Sequence, residues 1–454
     1  MGTGEQHATV RPRPSEPERA NGRRVAAATV VGTAIEWYDF YLYASMASLV
    51  FGRVFFDTSD PRSATLASLA TFAVGFVARP FGGVIFGVLG DRLGRKYTLV
   101  ATFLLMGVST GVVGLLPSYG SAGLLGTVGL VVVRVFQGIG AGAEYAAAAI
   151  TSYEHAGDGR RGSQAAWPAL GMNIGLVLSA LTIASLSGIG EDFLVGGGWR
   201  IPFLASFALV GFGIWVRSRV PETPEFVRLG HDRAAARRPS LRLLFRRDWR
   251  GLVTVVVVAI GYNAISYTLK TFSLAYVADY RGVGAGSSAL ALSVAGVVAI
   301  AAVPVVGRLC DRFSGGAVVA AGGVLAGVCA FPVLALLRDA SQPALLAAMI
   351  AGTGIIVPMM LGAQGSFFAA QFPVETRSTG LGTGREIGTA LSGGLAPLAA
   401  LSLVAASPTH STAGVGVLLA VAAVVVVVPA WLRRAGVPAS AGAPEGAAPR
   451  QPAS

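Results

Sequence analysis

Glu36 and Asp39 stand three residues apart in "GTAIEWYDFYLYASM" (Gly32–Met46), inside a run that is otherwise apolar. On a helix that spacing puts both carboxylates on one face. Arg134 and Gln137 repeat the spacing in "RVFQGIGAGAE", with Ala141 and Tyr145 continuing their face, and Lys270 and Arg385 interrupt two further apolar runs. Charges at mid-bilayer depth cost several kcal/mol unless paired or wet, and they mark ion or substrate paths. A buried carboxylate balanced between burial and a facing guanidinium can bind and release a proton. That is the chemistry of proton coupling. The sequence offers no Ser/His/Asp constellation, metal-ligand cluster or Walker loop, and His7, His155, His231 and His410 all fall in expected loops or tails. An enzyme is therefore not expected. Nor is a metal or organic cofactor, the proton being the coupling ion.

The elements that must position these groups are long apolar helices. The chain has 454 residues, 53% of them hydrophobic and only 13% charged, which excludes an ordinary soluble domain of this size. Apolar segments of roughly 20 residues recur twelve times, so an all-α membrane protein of twelve transmembrane helices is expected. The first six run Val25–Val50, Ala64–Leu89, Tyr97–Leu116, Ala122–Ala146, Ala165–Leu186 and Ile201–Val216. The second six run Leu252–Val277, Ala289–Val306, Ala317–Leu337, Ala344–Phe368, Thr379–Val404 and Ala413–Leu432. Residues 1–24 are expected as a disordered tail, 25–216 as one six-helix bundle, 217–251 as a basic linker, 252–434 as a second bundle and 435–454 as a second tail.

Most of the 35 Lys and Arg lie in alternate loops; the opposite loops hold only Arg53, Arg62, Arg200, Arg281 and Arg338. The positive-inside rule then puts both termini in the cytoplasm. The net charge of +12 is an orientation signal, and a nucleic-acid partner is not expected. The Arg-rich segment Arg217–Arg250 is either an amphipathic stretch on the anionic inner leaflet or a solvated linker. Cys310 and Cys329 fit no disulfide or metal framework and are expected as packing residues.

The two bundles repeat. "GVLGDRLGRK" begins at Gly87 and "GRLCDRFSGG" at Gly307, each after the second span of its half. "YEHAGDGRRG" around Glu154 has a weaker echo in "VETRSTG" around Glu375, after the fourth spans. Transporters built from repeats place the substrate near the midplane between them.

The G-x-L-x-D-R-x-G-R-K pattern of Gly87, Leu89, Asp91, Arg92, Gly94, Arg95 and Lys96 resembles the signature loop of the major facilitator superfamily. "EWYDFYLY", "GFVARPFGG", "RVFQGIGAGAE", "GWRIPF", "PETPEF" and "GGLAPLAA" narrow the resemblance to its metabolite:proton symporters, which carry shikimate, 2-oxoglutarate, citrate, or proline and betaine. The resemblance implies two six-helix pseudo-repeats, alternating access and import of a small molecule with protons. The chain departs from the pattern at Arg385 and Glu386 of "GREIGT", where the family usually has an uncharged aromatic–amide pair.

On the residues themselves, Asp91 can accept from a helix start in the other half. Arg92 and Arg95 can pair with Glu144, Glu154 or Glu222, and Asp311 and Arg312 repeat the motif as a cytoplasmic gate. A purely topological role for those charges is the alternative. Asp39 is the expected titrating group, partnered by Arg134 at similar depth; Glu36 is the alternative, and both being fixed hydrogen-bond groups is a third reading. The superfamily's sugar porters use a similar span-one Asp with a span-four Arg. Arg134, Gln137, Tyr38, Lys270, Tyr262, Asn263 and Tyr267 are expected to line the substrate cavity, with Arg134 and Lys270 clamping a carboxylate or zwitterion. The alternative for Lys270 is snorkelling outward. Arg385 is either a substrate ligand or is neutralised by Glu386 or Asp91, and Arg79 beside Pro80 is expected to be structural. "GIGAGAE" lacks a preceding strand, so its glycines are read as helix-packing residues. A monomer in the cell membrane is expected. The rival functions are proton-driven efflux of a hydrophobic compound and a sensor that binds metabolite without carrying it.

Overall fold

The computed structural model describes residues 16–56, 61–157, 159–219, 222–223, 240–283, 285–339 and 341–434. The tail 435–454, residues 1–15 and most of the basic linker lie outside them. Among the described residues the chain is helical with no strand. The N-terminal half contributes α1 (Glu16–Leu49), α2 (Pro61–Leu93), α3 (Arg95–Val113), α4 (Leu124–Glu154), α5 (Trp167–Ile189) and α6 (Arg200–Ser218). The C-terminal half contributes α7 (Trp249–Tyr267, running on to Arg281), α8 (Ala285–Phe313), α9 (Gly315–Asp339), α10 (Gln342–Met349, running on to Ala369), α11 (Arg377–Ser392, then Leu395–Ala405) and α12 (Ala413–Leu432).

Eleven helices are long and apolar enough to cross a membrane among the described residues. The twelfth of the set is α1, whose apolar run is interrupted by Glu36 and Asp39. It starts at Glu16, so residues 16–24, expected as tail, continue the first helix instead. Span eleven also departs from expectation: it breaks at Gly393–Gly394 into two shorter helices. Two other spans contain wide π-helical turns, Thr268–Phe272 in α7 and Ile350–Ile356 in α10, and these pack together, the Thr353 hydroxyl donating to the Leu269 carbonyl at 3.5 Å. Such turns cost hydrogen-bond quality and occur often at functional positions; Lys270 sits in the first.

Helix pairs approach through glycine. A Cβ on Gly82 of α2 would meet the Ile139 carbonyl of α4 at 1.9 Å, and one on Gly142 of α4 would meet the Arg79 carbonyl of α2 at 2.0 Å. The "GIGAGAE" glycines are therefore packing positions, and small residues at such crossings let backbones touch where no water drives association. Large apolar side chains such as Val77, Phe81, Val128, Leu181 and Val421 stay exposed on the rim, the surface of a bundle solvated by lipid.

Gly142→Ala should therefore lower the unfolding temperature in detergent, at a cost of about 1–3 kcal/mol for overpacking. Gly120→Ala, with nothing within 4 Å, should leave it unchanged. Equal unfolding temperatures would show that the α2–α4 crossing can relax.

Candidate functional site

The signature loop closes one end of the bundle. Asp91, at the last turn of α2, accepts from the backbone N–H of Ser378 (3.0 Å) and Thr379 (2.9 Å) and from the Thr379 hydroxyl (2.6 Å), at the first turn of α11 in the other half. Asp311, its counterpart in the repeat, accepts from the N–H of Ser163 at 3.1 Å and from the Ser163 hydroxyl, just before α5. Each half thus places a carboxylate on a helix start of the other, where free N–H groups and the dipole favour an anion. Arg95 is fully buried; it reaches Asp91 (3.2 Å), Glu154 (3.4 Å) and, across the halves, the Val374 carbonyl (2.7 Å). Glu154 in turn holds Arg377 of the C half at 2.8 Å and accepts from Thr223 at 2.6 Å.

Deeper in the N half, Asp39 accepts from Ser206 of α6 at 2.7 Å, with the Thr110 hydroxyl against the same carboxylate. Arg134 donates to Gln137, Gln137 donates to Thr110 at 2.7 Å, and the guanidinium lies 4.1 Å over the Tyr43 ring. The expected Asp39–Arg134 ion pair is therefore replaced by a polar chain of Arg134, Gln137, Thr110 and Asp39. Equal depth, read from 1.5 Å per residue, did not imply facing sides. Glu36 is buried, and no hydrogen bond from a described residue reaches its Oε2.

At the interface between halves, Glu386 of α11 accepts from Arg79 Nε of α2 at 2.7 Å and from its neighbour Arg385. The Arg79 guanidinium is 5.8–5.9 Å from the rings of Trp37, Phe40 and Phe76, and Arg385 lies 4.1 Å over Tyr145. Arg385 is neutralised by Glu386, not by Asp91. Arg79 is more than a kink residue, since its side chain ties the two halves.

Other expected partners sort differently. Arg92 and Arg312 are exposed and pair with no carboxylate among the described residues; Arg312 lies over the Phe313 ring at 5.1 Å. Glu222 takes the backbone N–H groups of Arg95 (3.0 Å) and Lys96 (3.3 Å), so it caps α3 rather than pairing with a guanidinium. Glu144 is no link across the halves: it pairs with Arg217 of α6 and accepts from Thr102 at 2.7 Å, all within the N half. Tyr38 packs into an apolar cluster of the N half that includes Leu42, Leu194 and Phe203. Asn263 reaches Thr389 at 3.1 Å, Tyr262 is buried in a core to which both halves contribute, and Tyr267 stacks edge-on to Phe76 at 6.2 Å across the halves. The Lys270 side chain is half-buried, and no hydrogen bond or ion pair links it to a described residue. The reading of the sequence passed over Arg217, Arg377 and Ser163. Arg217 and Arg377 stood among loop charges, and only the repeat could have pointed to Ser163.

Two six-helix repeats, tied at one end by reciprocal contacts and holding buried charge between them, form the architecture of a membrane transporter built from repeats. The sequence profile of the Major Facilitator Superfamily matches residues 29–383, and this chain belongs to that superfamily. It is a multi-pass membrane transporter, not an enzyme. The chain is 33% identical over 411 residues to the shikimate transporter of Escherichia coli K12, covering 89% of this chain and 93% of that one. It is 32% identical over 394 residues to the proline/betaine transporter of the same organism, covering 85% and 78%. A solved structure of the proton:xylose symporter XylE bound to 6-bromo-6-deoxy-D-glucose matches with a TM-score of 0.71 at 15% identity, covering 92% and 96%.

Removing one partner of a buried ion pair leaves an uncompensated charge, at a cost of about 3–5 kcal/mol. Glu144→Gln should therefore strongly lower the unfolding temperature, and adding Arg217→Met should recover most of the loss. A Glu144→Gln protein as stable as the parent would refute the pairing.

Proposed function

We propose that this protein is a proton-coupled symporter that imports a small organic acid or zwitterion by alternating access, in a plasma membrane with both termini cytoplasmic. The observation that carries the reading is the sorting of buried acids by partner. Buried Asp91, Glu154 and Glu386, and half-buried Asp311, take donors from the opposite half. Asp39 takes its donor from its own half and is otherwise enclosed. Bonds of the first kind are made and broken as the halves rock. A carboxylate of the second kind travels with its half and can carry a proton from one side to the other. The Arg and Lys bias between loops supports the orientation, and the named substrates of the two relatives support the substrate class.

Labelled shikimate, proline and betaine, within a wider panel of organic acids, should accumulate in proteoliposomes against their gradients when the exterior is made acidic. No uptake or exchange of any panel member would reject transport of this class. Asp39→Asn retains an acceptor for Ser206 and removes the titration, so it should abolish gradient-driven accumulation while counterflow persists. Full accumulation by that variant would take the proton off Asp39.

Asp91→Asn should weaken the closed end, because a neutral amide accepts less strongly from the start of α11. Labelling of a cysteine placed at Ser378 should then rise several-fold relative to the same cysteine in the parent, with substrate binding retained; unchanged labelling would deny Asp91 a closing role.

A further inference from the structure

The cluster of Arg79, Arg385 and Glu386 holds two guanidinium groups on a single carboxylate. Glu386 Oε2 meets Arg79 Nε at 2.7 Å, and Oε1 meets Arg385 and lies 3.5 Å from Arg79 Nη2. All three side chains are buried. The arrangement is the one by which arginines take a free carboxylate, through paired N–H donors in the carboxylate plane. It also carries one positive charge in excess.

We propose that Arg79 and Arg385 form the carboxylate-binding site of the transport cycle, and that Glu386 is a built-in anion that holds this site until a substrate carboxylate replaces it. The inference deepens the transport reading and rests on it. Three features of the surroundings fit such a ligand. First, the site spans both halves: Arg79 comes from α2, Arg385 and Glu386 from α11. A ligand bound there touches both moving bodies, which lets occupancy bias the rocking equilibrium. Second, aromatic rings enclose it. Trp37, Phe40 and Phe76 stand around Arg79, and Tyr145 lies under Arg385. Such walls suit an apolar or ring-bearing body behind the carboxylate. Third, the charged and titratable groups around the cluster are few. Tyr267 of α7 interacts with all three charged members, Tyr262 of α7 with Arg385, Tyr41 of α1 and the further cation Arg134 of α4 with Arg79, and Glu36 of α1 with both arginines. The excess positive charge is thus met only by Glu36 among them, and an added anion is electrostatically welcome.

The test uses the full chain purified in detergent and titrates it with benzoate, a small ring monocarboxylate, against benzyl alcohol as the uncharged control. Freeing the arginines from an internal charge-assisted bond should tighten benzoate binding by about tenfold in Glu386→Gln relative to the parent. Benzyl alcohol should show no such gain. Because Glu386→Gln leaves two arginines on no acid, Arg385→Gln/Glu386→Gln serves as a second variant that keeps the parent cluster charge. It should also bind benzoate more tightly than the parent, and adding Arg79→Gln should abolish the binding. Equal benzoate affinity in the parent and the variants, or no benzoate binding in any of them, overturns the proposal. Counterflow of the parent is scored separately. Exchange without the gain in benzoate affinity removes the anion site and leaves transport standing; the gain without exchange of any panel member removes transport and leaves the anion site.

Discussion

A charge inside an apolar bundle persists only where a partner offsets its lost hydration, and in this protein the location of that partner decides what each acid can do. The desolvation of an ion costs several kcal/mol after relaxation, whereas one hydrogen bond to a charged group contributes about 1.5–3 kcal/mol. A buried carboxylate therefore needs two or three donors. Glu144 finds Arg217 and Thr102 within the N half, so it moves with that half and stiffens it. Asp91 finds three donors at the start of α11, besides Arg95 of its own half. Parting the halves strips Asp91 of these at once, and water must enter to replace them.

The two closing contacts descend from one repeat yet differ in weight. Asp91 and Asp311 each approach a helix start of the opposite half, as a duplicated motif requires if the halves face each other about a two-fold axis. Only the Asp91 side gathers a network, with Arg95, Glu154, Arg377 and Thr223 linked through short contacts. On the other side Asp311 has Ser163, while Arg312 turns outward over Phe313.

The helices were legible in the sequence because hydropathy and the alternation of basic loops depend on the chain alone. Boundaries failed where local chemistry overrode the count: α1 extends back to Glu16, and span eleven breaks at Gly393–Gly394. Depth was legible too, since 1.5 Å of rise per residue places Asp39 and Arg134 at a similar level. Azimuth was not. Which face of α1 meets α6 rather than α4 is set by packing between helices, so Asp39 turns to Ser206 and Arg134 to Gln137. Partners across the halves were the hardest to read, because nearly 300 residues separate Asp91 from Ser378 and just over 300 separate Arg79 from Glu386. Each residue stood out singly as an expensive charge; only the fold shows which charges share a site.

The charges at the interface also divide in a way that suits two moving bodies. Arg79 belongs to the N half, and Glu36, on the same half, faces it. Arg385 belongs to the C half together with Glu386. With the halves together, Glu386 serves both arginines and Glu36 has no hydrogen bond to its Oε2. With the halves apart at this level, each half keeps one acid for one arginine. Neither Arg79 nor Arg385 would then stand as an unmatched guanidinium in the apolar layer, whose cost would oppose a separation of the halves. The second acid of the opening helix therefore has a physical reason to be present that is separate from the first: Asp39 is enclosed within its half, while Glu36 stands where Arg79 is left when Glu386 departs.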